Sequence, residues 1–298
     1  MAGVYPHETM RDVRAAIGWA VAQLGQTEAK PRLAAEWLVG QVTGLSRLEI
    51  YMQFDRPFSV DESEALAAAV ARRLAGEPLQ YILGKAAFRR LELAVRPGVL
   101  IPRPETEQLV ELVLGFLLER RPQRVLDIGC GSGAIALSLL QELPDCVVWA
   151  TDIDAAAVAL TLENAERLGL DDARRFVLQR DDLATSLLAD PQAMASFDVV
   201  VSNPPYVPTA LLAGLPREVR EFEPMLALDG GADGLAVFSR ILEQAALLLR
   251  SGGLLAVELH EETLEAAAEM ASAAGLADVQ VHHDLAGRPR YLTAQQGG

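Results

Sequence analysis

With 298 residues, 51% of them hydrophobic and 22% charged, the chain has the length for about two domains and the apolar content for a sizeable core. Its 26 basic and 41 acidic side chains leave a formal net charge of -15, which speaks against a protein that wraps duplex nucleic acid, because neutralising phosphates takes Lys and Arg. Two cysteines, Cys130 and Cys146, are too few for a disulfide framework or a thiolate zinc site, and with neither a secretory signal nor an apolar run of membrane-span length the expectation is a soluble, cytoplasmic monomer that keeps off membranes and DNA.

The charge is uneven. Residues 1–100 carry 12 basic and 11 acidic side chains, a net of +1, whereas residues 101–298 carry 14 and 30, a net of -16. A boundary near residue 100 follows. The spacings of Val13, Ile17, Val21 and Leu24, and of Leu33, Trp37, Leu38 and Val42, predict two helices. Ser59-Val-Asp-Glu62 has the pattern of a capping box, opening a helix over Ala65 to Leu74 that Gly76 stops. Tyr81 to Phe88 and Leu91 to Val95 then read as extended, with Gly84 between the runs, which predicts a hairpin. The division expected is a helical domain at 1–77, a β-hairpin linker at 78–100 and a catalytic domain at 101–298.

From residue 105 strands and helices alternate. Strands are expected at Arg124 to Ile128, Val147 to Thr151, Phe176 to Leu178, Phe197 to Ser202 and Leu254 to Glu258. Helices are expected through Ile135 to Leu140, over Asp154 to Leu168 and over Gly234 to Leu249. That alternation means an α/β fold with a mostly parallel, doubly wound sheet. Gln296-Gly-Gly298 reads as a frayed tail.

Asp127-Ile-Gly129-Cys130-Gly131-Ser132-Gly133-Ala134 falls between the first strand and its helix. Glycines let a ligand approach the backbone at a helix N-terminus. Asp152 ends the next strand, where an acid can hydrogen-bond ribose hydroxyls. By spacing alone Gly129, Gly131 and Ala134 also form a dinucleotide fingerprint, so NAD and S-adenosylmethionine are both open at this point. Asp127 leans toward the second, since a carboxylate suits a cationic amino group and sulfonium better than a pyrophosphate.

The strand at Phe197 ends in Asn203-Pro204-Pro205-Tyr206. Carboxyl ends of parallel strands are where open sheets bind ligands. The two prolines keep Asn203 and Pro204 out of helix. The Pro204 carbonyl and the Asn203 side-chain carbonyl are then two fixed acceptors for the hydrogens of one planar NH2 group, with Tyr206 to stack on it. Such a nitrogen is a poor nucleophile, and a methyl sulfonium is a strong electrophile, so the reaction needs positioning more than an acid or base. No metal is required: His7, His260, His282 and His283 fit no metal-ligand spacing.

The glycine loop together with Asn203 to Tyr206 resembles the Rossmann-like, S-adenosylmethionine-dependent amino-methyltransferases. Ile101-Pro-Arg-Pro-Glu-Thr-Glu107, Pro78 to Gly84, Phe88, and Glu223-Pro224 followed by Leu228 to Leu235 resemble the HemK/PrmC family, whose members methylate the glutamine amide in the Gly-Gly-Gln loop of peptide chain release factors. The resemblance implies S-adenosyl-L-methionine as cofactor, S-adenosyl-L-homocysteine as product and release factors as partners. It implies cofactor contacts from Asp127, Gly129, Cys130, Gly131, Ser132, Gly133, Asp152, Asp181, Asp182 and Asn203, and a catalytic corner of Asn203, Pro204, Pro205 and Tyr206. The helical domain would help hold the release factor. The chain departs from many relatives at Asp182, where they carry an aromatic, and at Glu258-Leu-His260, where they commonly carry a glycine. A nucleic-acid amino-methyltransferase acting on adenine N6 is the alternative. An NAD-linked oxidoreductase or a non-catalytic cofactor scaffold would leave Asn203 to Tyr206 without a task. Arg72, Arg73, Lys85, Arg89, Arg90 and Arg96 read as a solvated basic face.

Overall fold

A computed structural model describes residues 9–118 and 123–297. His7 and Gly298, named above, lie outside the described residues. The chain divides into two compact units: the chain up to Gly84 together with Arg217–Phe222, and the remainder from Lys85 onward. The helical unit therefore gains a segment distant in sequence, and the hairpin groups with the sheet.

In the helical unit, α1 (Val13–Leu24) starts at Asp12, whose side chain accepts from Ala15 N. Helix α2 (Pro31–Thr43) opens on proline and ends at Gly44 in the left-handed region. Helices α3 (Arg47–Met52) and α4 (Val60–Leu74) each carry a full capping box, Ser46 with Glu49 and Ser59 with Glu62. The second box starts α4 at Val60, earlier than the apolar pattern placed it. Residues 79–83 are a helical turn, α5 (Leu79–Leu83), and not a strand. Pro78 before it and left-handed Gly84 after it bracket one turn, which buries Tyr81 and Ile82. Met10, Ile17, Leu24, Leu38, Ile50 and Leu66 form the core. Glu36 is buried but accepts from Arg32 (2.6 Å), Arg47 (2.8 Å) and Tyr51 (2.7 Å), so its charge is fully partnered.

In the second unit, β1 (Lys85–Phe88) and β2 (Leu91–Ala94) make the expected hairpin, but it turns at Arg89-Arg90. Arg89 takes φ 50°. Its guanidinium is clamped by Glu142 (2.6 and 3.0 Å) and Glu111 (2.8 Å). The basic stretch is largely paired: Arg72 with Glu77, Arg73 with Glu28 and Glu218, Lys85 with Glu92, and Arg96 with Glu163.

Helix α6 (Thr106–Leu117) leads to β3 (Gln123–Ile128), α7 (Ala134–Glu142), β4 (Cys146–Asp152), α8 (Ala155–Leu168), β5 (Phe176–Arg180) and β6 (Phe197–Ser202). After α9 (Arg217–Phe222), which belongs to the helical unit, come α10 (Ala236–Leu248), β7 (Leu249–Glu258), α11 (Leu264–Ala273), β8 (Ala277–His283) and β9 (Pro289–Gln295). The seven strands run in the order β5-β4-β3-β6-β7-β9-β8. The first five are parallel, and β9 is antiparallel to both β7 and β8. The doubly wound reading holds, with this antiparallel pair added. Strand β6 is buried at every residue, as a strand covered on both faces must be. The tail is not frayed at Gln296: its N–H donates to Gly253 O and its carbonyl accepts from Gly252 N. No helix among the described residues is long and apolar enough to cross a membrane.

Chain order reverses between β3 and β6, so a crevice opens at the carboxyl ends of β3, β4 and β6. Buried Asn164 on α8 ties the hairpin to its rim. Its Oδ1 accepts from Ala94 N (2.7 Å), and its Nδ2 donates to Ala94 O (3.1 Å) and Ser132 O (2.9 Å). Asn164→Ala leaves three backbone groups unpaired at a buried site, each worth about 1–3 kcal/mol. A loss of roughly 3 kcal/mol or more is expected in urea unfolding, and a loss below about 1 kcal/mol would contradict this role.

Candidate active site

A cavity of about 230 Å³ occupies the crevice. Its floor is the loop Gly129-Cys130-Gly131-Ser132, which Gly133 joins to the next helix. All three glycines have positive φ (75°, 59° and 84°). A Cβ on Gly133 would also lie 2.9 Å from Leu137 Cδ1, so close packing onto α7 adds to the backbone requirement there. The loop is held from outside. Gly129 N and Cys130 N donate to Thr151 O at 2.8 and 3.0 Å. Gly131 N donates to Asp152 Oδ2 (2.9 Å), and Thr161 Oγ1 donates to Gly131 O (2.9 Å). Helix α7 begins at Gly133, which has no side chain to cap it, and of its first N–H groups that of Ala136 is taken by Asp127 Oδ2 (3.0 Å).

Among the residues singled out from sequence, Gly129, Cys130, Gly131, Ser132, Asp152, Asp182, Asn203 and Pro205 line the cavity. Asp127, Gly133, Asp181, Pro204 and Tyr206 are not in its lining. Asp127 is fully buried; its Oδ2 accepts from Ala136 N (3.0 Å) and its Oδ1 has no partner. Burial, with Asp152 nearby, pushes its carboxyl up to about 7 against the pull of the Ala136 N–H. Burial also raises the Asp152 carboxyl. Asp181 accepts from Ser186 N and Oγ and shapes the turn after β5. Asp182 is paired with Arg240 (2.7 Å), which lines the same end of the cavity from α10.

The Asn203 corner is locked on both sides. Ser202 Oγ donates to Ile128 O (2.7 Å), joining the ends of β6 and β3. The loop at 229–235 packs against Tyr206 so closely that a Cβ on Gly234 would lie 2.5 Å from the Tyr206 carbonyl, and one on Gly230 2.7 Å from its Cα. Asn203 Nδ2 donates to Thr106 Oγ1 (3.0 Å), and Thr106 Oγ1 donates to Glu258 Oε2 (2.8 Å). Tyr206 OH lies 3.4 Å from Glu258 Oε1, and Arg290 Nη1 lies 3.8 Å from the same oxygen. Burial and the Glu258 charge push the Tyr206 phenol up, so it stays neutral.

Sequence reading had not assigned roles to Thr106, Glu258, Arg290, Arg103 or Arg240. Thr106 and Arg103 sit within the quoted Ile101 to Glu107 segment, and Glu258 ends a parallel strand, which is a usable signal. Arg103 lines the cavity while bound to buried Glu223. His260 caps: its ring Nδ1 accepts from Glu262 N, ahead of α11. His282 and His283 lie on β8, with His282 Nε2 2.7 Å from Thr293 Oγ1.

A glycine-floored crevice at the switch point of a doubly wound sheet closed by an antiparallel pair defines a Rossmann-like methyltransferase, and the family described as "Methyltransferase small domain" matches residues 102–211. The "PrmC N-terminal domain" family matches residues 15–84. A release factor glutamine methyltransferase of Geobacter sulfurreducens is 43% identical over 237 residues, covering 78% of each chain. One from Moorella thermoacetica is 45% identical over 240 residues, 80% of this chain and 82% of that one. The chain belongs to the release factor glutamine methyltransferase family and is a methyltransferase. Among solved structures, the hMettl16 catalytic domain in complex with MAT2A 3'UTR hairpin 6 superposes with a TM-score of 0.53 at 19% identity, over 80% of this chain and 82% of that one, a likeness of fold alone.

The buried Asp127 carboxylate gives a stability test. Its folded-state pKa lies above the ordinary 3.8, so the folded state binds the extra proton between pH 4 and 7, and stability falls as pH rises through that window. Holding the ion folded at pH 8 costs on the order of 4 kcal/mol. Asp127→Asn keeps an acceptor for Ala136 N without the charge. The apo protein is expected to melt several degrees higher at pH 8, with the gain shrinking toward pH 4. An equal gain at both pH values, or none at pH 8, contradicts the assignment.

Proposed function

We propose that the chain transfers a methyl group from S-adenosyl-L-methionine to the side-chain amide nitrogen of the glutamine in the Gly-Gly-Gln loop of peptide chain release factors. The observation that carries the reading is the anchored Asn203 amide at the cavity edge, in a chain whose relatives bear that activity in their names.

The residues present fit the cofactor. The floor is bare backbone at Gly129 and Gly131, where a Cβ would meet open space. A buried carboxylate oxygen of Asp127 beneath the loop lacks a partner, which favours a cation nearby. Gly129 to Gly133 would hold the methionine portion, Asp152 the ribose, and the Asp181–Asp182 turn with Arg240 the base. When bound, S-adenosylmethionine supplies a methyl group on a sulfonium. The Asn203 Oδ1 and the Pro204 carbonyl accept the two amide hydrogens, turn the nitrogen lone pair toward the methyl, and raise its electron density. With the cofactor bound, attack of the oriented amide nitrogen on its methyl group would form the N–C bond at the expense of the C–S bond, leave S-adenosyl-L-homocysteine, and release one proton to solvent. Tyr206, neutral and held by Glu258 outside the cavity lining, would back the corner from behind. Residues 1–77 serve as the docking domain, 78–100 as the linker and 101–298 as the catalytic domain.

Labelled S-adenosylmethionine, purified release factor and mapping of the labelled residue provide the test. Label on the loop glutamine is expected. Label on DNA or RNA, with none on release factor, overturns the reading in favour of adenine N6. Asn203→Ala is expected to lower kcat on the order of 100-fold, with S-adenosylhomocysteine affinity changed less than about twofold.

A further inference from the structure

An Asn side chain is nearly symmetric in shape, and its two ends do opposite things: one donates, the other accepts. For Asn203 to hold an NH2 group, its carbonyl and not its own NH2 must face the substrate. Nothing in Asn203 itself decides this.

The decision is made one and two residues away. Glu258 is fully buried at the end of β7, with Arg290 Nη1 3.8 Å from Oε1 and Tyr206 OH 3.4 Å from the same oxygen. As a carboxylate it can only accept. Thr106, at the first position of α6, has a single hydroxyl proton, and its Oγ1 lies 2.8 Å from Glu258 Oε2. That proton is therefore committed to Glu258. The Thr106 oxygen can then serve Asn203 only as an acceptor, so the Asn203 end lying 3.0 Å away must be its NH2. Thr106 is itself pinned, because Tyr291 OH donates to the carbonyl of the preceding Glu105 at 2.6 Å.

We infer that Thr106 and Glu258 are positioning residues, whose one-way hydrogen-bond chain fixes which end of the Asn203 amide meets the substrate. This rests on the reading of Asn203 as the holder of the substrate amide. A neutral donor at position 258 reverses the chain. In Glu258→Gln the carbonyl belongs beside the donors Arg290 and Tyr206, which turns the new NH2 toward Thr106. Thr106 then accepts from Gln and donates to Asn203, whose NH2 is presented to the substrate NH2, donor against donor.

Methylation of release factor and binding of S-adenosylhomocysteine by the full chain test the inference in four variants. Thr106→Ser keeps the hydroxyl and is expected to hold kcat within about threefold of the parent. Thr106→Val, close in shape, is expected to lower kcat on the order of 30-fold, with S-adenosylhomocysteine affinity within about twofold. Glu258→Gln is expected to lose on the order of 100-fold or more. In the double variant the wrong-way chain is cut, so kcat returns to the Thr106→Val level. Wild-type kcat in Thr106→Val, failure of Thr106→Ser to restore it, or multiplying losses in the double variant each overturn the inference. Should Glu258→Gln not fold, the valine and serine variants alone decide. If the parent chain does not methylate release factor at all, the function reading fails instead, so the two failures are distinguishable.

Discussion

The cavity depends on one constraint: a run of left-handed glycine backbone must be held still without side chains of its own. Left-handed glycines carry the largest conformational entropy in the unfolded chain and no packing atoms to offset it. The structure supplies the missing restraint from neighbours. Thr151 O receives two N–H groups of the loop, Asp152 receives a third, and Thr161 and Asn164 bind its carbonyls. Strand β4 and helix α8 are thus as much a part of the loop as its glycines. The same Asn164 amide also grips β2, so the hairpin and the floor are set by a single side chain.

What was legible in the sequence follows from where periodicity and local chemistry agree. Strand β6 is buried on both faces and β3 at all but one residue, β4 alternates between buried and half-buried, and their apolar runs end in turn residues, so they could be read directly. The capping box at Ser59 is a local signal, and it formed as written. The extended reading of Tyr81 to Leu83 failed because three apolar residues fit a strand or one helical turn equally well, and only the flanking Pro78 and Gly84 decide. Strand β8 escaped because an edge strand exposed along most of its length has no buried face to impose alternation. Helix α6 lay in the segment read for its motif and not for its period.

The site divides in the same way. Residues that act through backbone, such as Gly129 and Gly131, announce themselves, because few other positions tolerate their conformations. Residues that act through a second residue do not. Thr106 and Asn203 are 97 positions apart, and Thr106 and Glu258 are 152 apart. No spacing rule reaches across such distances. The acidity of residues 101–298 was legible as a number but not as an arrangement. Some of it is clamp, as where Glu142 and Glu111 hold Arg89 in its strained turn.

The remaining acids explain why a methyltransferase cavity tolerates buried charge. A carboxylate taken out of water is costly unless partners return what solvation gave it. Glu36 has three donors and is a structural ion. Asp127 has one donor for two oxygens, and Glu258 has a hydroxyl, a phenol and a distant guanidinium. Both are under-compensated, and burial raises both carboxyl pKa values. Both also lie at the carboxyl ends of strands, beside the crevice. Folding alone would favour neutral, well-packed side chains at these two positions. Acids at these two positions fit the proposed reading, in which a bound cation near Asp127 and the hydrogen-bond chain from Glu258 through Thr106 to Asn203 would give the charges their use.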